Sequence, residues 1–294
     1  MAVAVARSRR GLKRVVVGPP HDPARTRARS ALRYVPGLLV LGVPLLIALA
    51  GPLFAGDAGP RGTSLTTGDG HPLGTDFTGR DVLREVLLGG RSVVTVALAA
   101  TALTYAVALP IGFVCALTRR TWLEESLMRP LDVLLSVPSL LVVVLVSAAV
   151  QPGGAGAAVV VAVVGIPDAV RIVRAAGAEA ASRPAVEALR LQGESWARTA
   201  LGYVGRAMGR TLAADIGVRL TGAVHLVATA AFLGVGVAPD AADWAVMVDR
   251  NRTGLSVQPW ATVVPALLIV ALTMGGNLLA DAALARPPRT EKDR

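Results

Sequence analysis

His71, Asp76 and Asp81 are the first side chains whose types invite chemistry: one imidazole and two carboxylates lie close together in the sequence, in His71, Pro72, Leu73, Gly74, Thr75, Asp76, then Gly79, Arg80 and Asp81. A protein zinc site takes about four ligands, or three and a water, so this set is too small for a metal, and no metal site is expected. Gly, Pro and Asp at such density mark defined turns instead. A second group, Asp168, Arg171 and Arg174, recurs at helical spacing inside an apolar stretch. Each charge would cost about 2.5–3.5 kcal/mol at the centre of a bilayer. Asp168 and Arg171 are spaced to pair on one helix face, and the cytoplasmic end of a helix is favoured over a gate for the group. His225 is expected to pack or hydrogen-bond between helices, and Asn277 and Asp281, four apart, to face the interior of a bundle.

No catalytic residues are expected. The chain carries neither H-E-x-x-H nor G-x-S-x-G, which counts against an intramembrane enzyme. It also lacks the phosphate-binding G-x-x-x-x-G-K-[ST], so any ATP must be bound by another protein. The absence of a convincing internal repeat counts against an ion-coupled secondary transporter, the rival transport reading.

Lipid is the solvent that the composition calls for. Hydrophobic residues make up 53% of the 294 residues, charged residues 17%, and the mean hydropathy is +0.57; soluble domains average about 25% charged. Aromatics are only 4%, leaving Ala, Val and Leu as the packing residues. Small side chains let membrane helices approach closely. About six stretches are long enough to cross a hydrocarbon core of about 30 Å: 36–55, 93–117, 131–150, 155–176, 213–237 and 260–284. Cys115, the single cysteine, lies in the second and is expected to be a buried thiol.

The formal charge of +10 has a topological explanation. With the amino terminus inside, the inner segments hold nine Lys/Arg before Tyr34, three in 118–130, eight from Arg171 to Arg219 and four in the tail, against six outside. The positive-inside rule then places both termini in the cytoplasm, and nucleic acid is not needed to explain the charge. The expected organisation is a disordered basic arm (1–33), a first span with an extracytoplasmic segment (34–91), a core (92–285) containing a cytoplasmic loop (183–210), and a short tail (286–294). A twin-arginine or cleaved signal is disfavoured: the apolar run starts far from Arg9 and Arg10 and is long enough to remain as a span.

Two further segments invite a role. Val82, Leu83, Val86 and Leu87 suggest an amphipathic helix at the outer interface. Asp240, Asp243, Trp244, Asp249, Arg250 and Arg252 suggest an outer rim that meets a partner, with Trp244 and Trp260 favoured as interfacial anchors.

On these residues the chain resembles the inner-membrane permeases of peptide and nickel ABC importers, and specifically the second permease of the pair. His71 to Val82 is similar to the family's H-x-L-G-T-D-x-x-G-R-D-V signature, with His71, Leu73, Gly74, Thr75, Asp76, Gly79, Arg80 and Asp81 in place. Asp132 to Ser139 resembles its D-x-L-L-x-x-P-S segment. Glu187, Ala188, Leu189 and Gly193 resemble the E-A-A-x-x-x-G loop, although Leu189 replaces the second Ala, and Gly205 and Arg206 stand where Leu-Pro is usual. Phe232 to Gly236, Trp244, Pro259, Trp260, Asn277 to Leu279 and Asp281 extend the likeness across about 38–284.

The resemblance implies an all-α polytopic membrane protein with the ABC type I importer permease (MetI-like) fold, in a bacterial plasma membrane. It implies half of a translocation pore for peptides, or alternatively for nickel or another chelated solute. It also implies a second permease, one or two ATP-binding subunits that hold ATP and Mg, and an extracytoplasmic solute-binding protein, with no cofactor on this chain. Glu187, Ala188, Leu189 and Gly193 would form the helix that contacts the ATPase. Asp168, Arg171, Asn277 and Asp281 are left as gate or structural residues.

Overall fold

The computed structural model describes residues 32–284 apart from 58, 69, 119, 151–152, 196, 235–236 and 239. The basic arm up to residue 31, the tail 286–294, and Val235 and Gly236 of the family likeness lie outside the described residues. Among the described residues there are nine α-helices and no β-strand, only the isolated bridges Gly68–His71 and Thr75–Asp81.

Five helical segments are long and apolar enough to cross a membrane. Helix α1 (Val35–Phe54) lies against α2 (Val82–Leu117) and α9 (Trp260–Leu284). Helix α5 (Gly153–Ala181) packs along α2 more extensively than any other pair, and α7 (Gly205–Phe232) closes the bundle against α2, α5 and α9. The core is built from Ala and Val, including Val93, Ala97, Val161 and Val224. Packing of small side chains is what can hold helices together where lipid removes the hydrophobic drive.

Several expected boundaries change. Val82 to Leu87 is not a separate interfacial helix. It is the first part of the 36-residue α2, and Val82 and Val86 are buried in the core. The reason is local: nothing breaks the helix at Gly89 and Gly90, whose missing side chains instead make room for Trp244. The expected span 131–150 is two helices, α3 (Thr121–Leu135) and α4 (Ser139–Val150), bent by 81°. Pro138 supplies the break, since it lacks an amide proton and disfavours the helical conformation in Val137. Taken together, the bent pair makes a sixth candidate span. The fifth expected span begins earlier and ends sooner: a π-helical stretch at Arg198–Val204 runs directly into α7, which stops at Phe232.

The ends of the bundle differ. At one end, residues 62–81 form a turn-rich cap against α8 (Trp244–Asn251) and its 3₁₀ extension Arg252–Gly254. At the other, the short helix α6 (Pro184–Leu191) sits on the π-helical segment.

Candidate functional site

Three places bring polar groups together: the cap, the α6 end and a cavity between them. In the cap, the signature residues hold structure. Asp76 is fully buried; its Oδ1 accepts from the Thr78 amide, the Thr78 hydroxyl and the Arg80 amide, each at 2.8 Å, and its Oδ2 accepts from Arg250 at 2.7 Å. Arg250 also lies 3.7 Å from the buried Glu85. Asp81 Oδ1 caps α2 through the amides of Leu83 and Arg84, while Oδ2 meets His71 Nδ1 at 3.0 Å. His71 is therefore committed to a helix cap, and no three His, Cys, Asp or Glu side chains converge on a metal position among the described residues.

The remaining signature residues secure the same cap. Gly74 has φ of +72°, and a Cβ there would collide with the Gln258 amide and the Thr66 carbonyl. Gln258 Nε2 in turn donates to the Leu73 carbonyl at 2.5 Å, and the Thr75 hydroxyl donates to Thr63 O at 2.6 Å. Gly79 lies so close to the Gly62 backbone that any side chain would displace it. Arg80 reaches the Asp240 carbonyl at 2.8 Å.

Part of the expected outer rim turns inward, while Asp240, Asp249 and Arg252 stay at the surface. Trp244 is fully buried, not an interfacial anchor, and its indole N–H donates to Val86 O at 2.8 Å. Asp243 is buried and caps α8 through the Ala245 and Val246 amides. Burial pushes its carboxyl above the ordinary carboxylate range, against the lowering effect of its hydrogen bonds. Arg250 is buried against Asp76, whereas Arg252 pairs with Asp249 at the surface and Trp260 stays half exposed.

At the opposite end, Pro184 opens α6 and Glu187 stands in its first turn, favourable to the helix dipole. Val186 is buried in a cluster with Ala200, Val204 and Met208, which fixes which face turns inward. Glu187 and Ala188 are exposed and Leu189 is half-buried. Leu191 is 84% and Leu201 70% exposed, so large apolar side chains stand uncovered at this end along with Glu187 and Ala188. Gly193 ends the segment with φ of +80° and open space where a side chain would be. Its role is the turn, not close approach within the protomer.

Between the two ends lies a cavity of about 300 Å³ lined by Thr101, Thr104, Ser139, Asp168, Arg219 and His225, among smaller apolar residues. Arg219 reaches Asp168 across helices at 3.3 Å and Asp215 along its own helix at 3.4 Å. Tyr105 on α2 donates its hydroxyl to Asp215 at 2.5 Å.

This corrects the expected pairing of Asp168 with Arg171. Arg171 instead binds Asp132 at 2.6 Å and Arg174 binds Glu124, so both reach α3 from the outer face of α5. Nor do these residues mark the end of a helix, because α5 continues to Ala181. His225 does not pack between helices; it is exposed to the cavity. Asn277 and Asp281 are exposed on α9 and do not face the bundle interior.

Tyr105, Asp215 and Arg219 escape a sequence reading that assigns Arg219 to the inner charge count. The signal for two of them was present: Asp215 and Arg219 stand four apart within an apolar run. Nothing in the sequence points to Tyr105, Asn251 or Gln258, whose partners lie more than 100 residues away.

Residues 108–286 match the profile of the binding-protein-dependent transport system inner membrane component family. The chain is 30% identical over 289 residues to a putative peptide permease protein of Brucella abortus biovar 1, covering 92% of this chain and 94% of that protein. It is 28% identical over 209 residues to a dipeptide transport system permease protein of Haemophilus influenzae, covering 71% and 70%. It is 27% identical over 214 residues to a glutathione transport system permease protein of Pectobacterium atrosepticum, covering 72% and 70%.

Proposed function

Because the chain belongs to the family of inner-membrane components of binding-protein-dependent transport systems, we propose that it forms half of the pore of an ATP-driven peptide importer and takes its energy from a separate ATPase through α6. The peptide assignment is supported by relatives named as peptide, dipeptide and glutathione permeases. The observation that carries the coupling role is the exposed group of Glu187, Ala188 and Leu191 on a short helix whose opposite face is anchored by buried Val186. A helix seated this way transmits a push to α7 through the π-helical segment without dissolving into the core.

The importer reading supplies the remaining parts. A second permease completes the pore, the ATPase subunits hold ATP and Mg, and a solute-binding protein delivers peptide to the cap end. The excess of Lys and Arg on the inner segments supports an orientation with the α6 end and both termini in the cytoplasm. ATPase closure then shifts a two-state bundle between inward and outward access.

Purification of the tagged chain from native membranes in mild detergent tests this reading. A second permease and an ATPase are expected to accompany it. Gly193→Val, strained at positive φ, and Leu191→Asp are expected to lower ATPase recovery at least tenfold while the second permease stays bound. An ATPase-free preparation of the folded wild-type chain overturns the proposal.

A further inference from the structure

The cavity between α2, α5 and α7 is lined by Asp168, Arg219 and His225, and Asp215, which is not part of the lining, also pairs with Arg219. Two carboxylates, Asp168 and Asp215, share one guanidinium, Arg219. Both helices place the group at similar depth. Asp168 lies 15 residues from the start of α5 and Arg219 13 residues from the end of α7, or about 20 Å below the cap side at about 1.5 Å per residue. Ionisable groups so far into a membrane are costly, are paired or face a water-filled cavity, and mark functional pathways.

The two carboxylates are not equivalent. Asp215 is only 10% exposed and is held by Tyr105 as well as Arg219. Asp168 is 51% exposed, faces the cavity and has Arg219 alone, at 3.3 Å. If Asp168 is drawn to another cation, Arg219 still has Asp215 on its own helix, so no buried charge is stranded. The hydroxyls of Thr101 and Thr104 are already committed as donors, to the carbonyls of Ala97 and of Ala100 and Ala162.

We infer that Asp168 is a way-station for a cation, the ammonium group at the free amino terminus of a passing peptide. The site is a transient carboxylate–ammonium contact inside the pore, distinct from recognition by the binding protein. The inference rests on the peptide-importer reading above.

The test compares ATP-driven uptake of labelled Ala-Ala and N-acetyl-Ala-Ala by proteoliposomes containing the full complex and its binding protein. Selection by the binding protein is the same for every permease variant, so a change in the ratio of the two rates reports on the permease. D168N is expected to reduce the preference for the free amine about tenfold, the scale of one charged hydrogen bond, and D168E to retain it. S139K places an ammonium in the same cavity from an exposed position and is expected to lower the ratio without touching Asp168, which keeps the test intact if D168N does not assemble. If D168N slows both peptides equally, or S139K leaves the ratio unchanged where D168N does not assemble, the inference is overturned. If the wild-type complex carries neither peptide, the importer reading itself fails and the way-station falls with it.

Discussion

The carboxylate of Asp76 and the guanidinium of Arg250, 174 residues apart in the chain, meet at 2.7 Å with Asp76 wholly buried. This pair ties the cap to α8, and the same Arg250 nitrogen lies 3.7 Å from Glu85. Arg250→Met therefore strands the Oδ2 side of the buried Asp76 carboxylate, whereas Glu85 keeps Arg80 at 3.6 Å and Arg84 at 3.8 Å. Breaking a buried pair from one side costs about 3–5 kcal/mol, expected as a large drop in thermal midpoint of the detergent-solubilised protein. Adding Asp76→Asn to Arg250→Met is expected to recover part of that loss, because the stranded charge is removed.

Gly74→Ala and Gly193→Ala separate two kinds of glycine. Both positions have positive φ, but a Cβ at Gly74 meets Gln258 and Thr66 whereas one at Gly193 meets nothing. The left-handed conformation alone costs roughly 1–2 kcal/mol for a side-chain-bearing residue. Gly193→Ala is expected to cost no more than that, and Gly74→Ala clearly more, as read by thermal unfolding of the two variants side by side.

Trp244→Phe removes the indole N–H that donates to Val86 O and leaves space beside Gly89 and Gly90. Val86 O keeps the Gly90 amide of its own helix, so the loss is that of one neutral hydrogen bond, about 0.5–1.5 kcal/mol, together with the space left by the smaller ring. The expected result is a lowered thermal midpoint with the helical circular dichroism of the folded state unchanged.

The Asp243 carboxyl titrates above its ordinary value of 3.8 because it is buried. The folded state therefore holds this proton more tightly than the unfolded chain does. Its contribution to stability is fully present below pH 3.8 and is lost as pH rises through the folded-state value. Asp243→Asn keeps an oxygen to accept from Ala245 and Val246 without an ionisable group. Compared over a pH series, the wild-type protein is expected to lose thermal stability relative to this variant as pH rises through that window.

The helical class and most of the candidate spans were legible because apolar runs of membrane length leave little alternative. The turn at Gly193 and the turn-rich character of 71–81 were legible for a local reason: Gly, Pro and Asp act on the residues beside them. What was not legible depends on distance along the chain. Arg250 and Trp244 read as surface residues because their partners, Asp76 and Val86, belong to another segment. Arg171 lay at the right spacing for Asp168, yet Asp132 on α3 captured it. Arg219 was counted as a topological charge, and only the convergence of three helices reveals it as part of a cavity.

The 81° bend at Pro138 leaves α4 with 12 residues, or about 18 Å of helix. A hydrocarbon core of about 30 Å is some 12 Å thicker than that, and mismatch costs fractions of a kcal/mol per Å. Helix α4 alone therefore falls short of a crossing by that amount, and only with α3, set at 81° to it, does this stretch make up a candidate span.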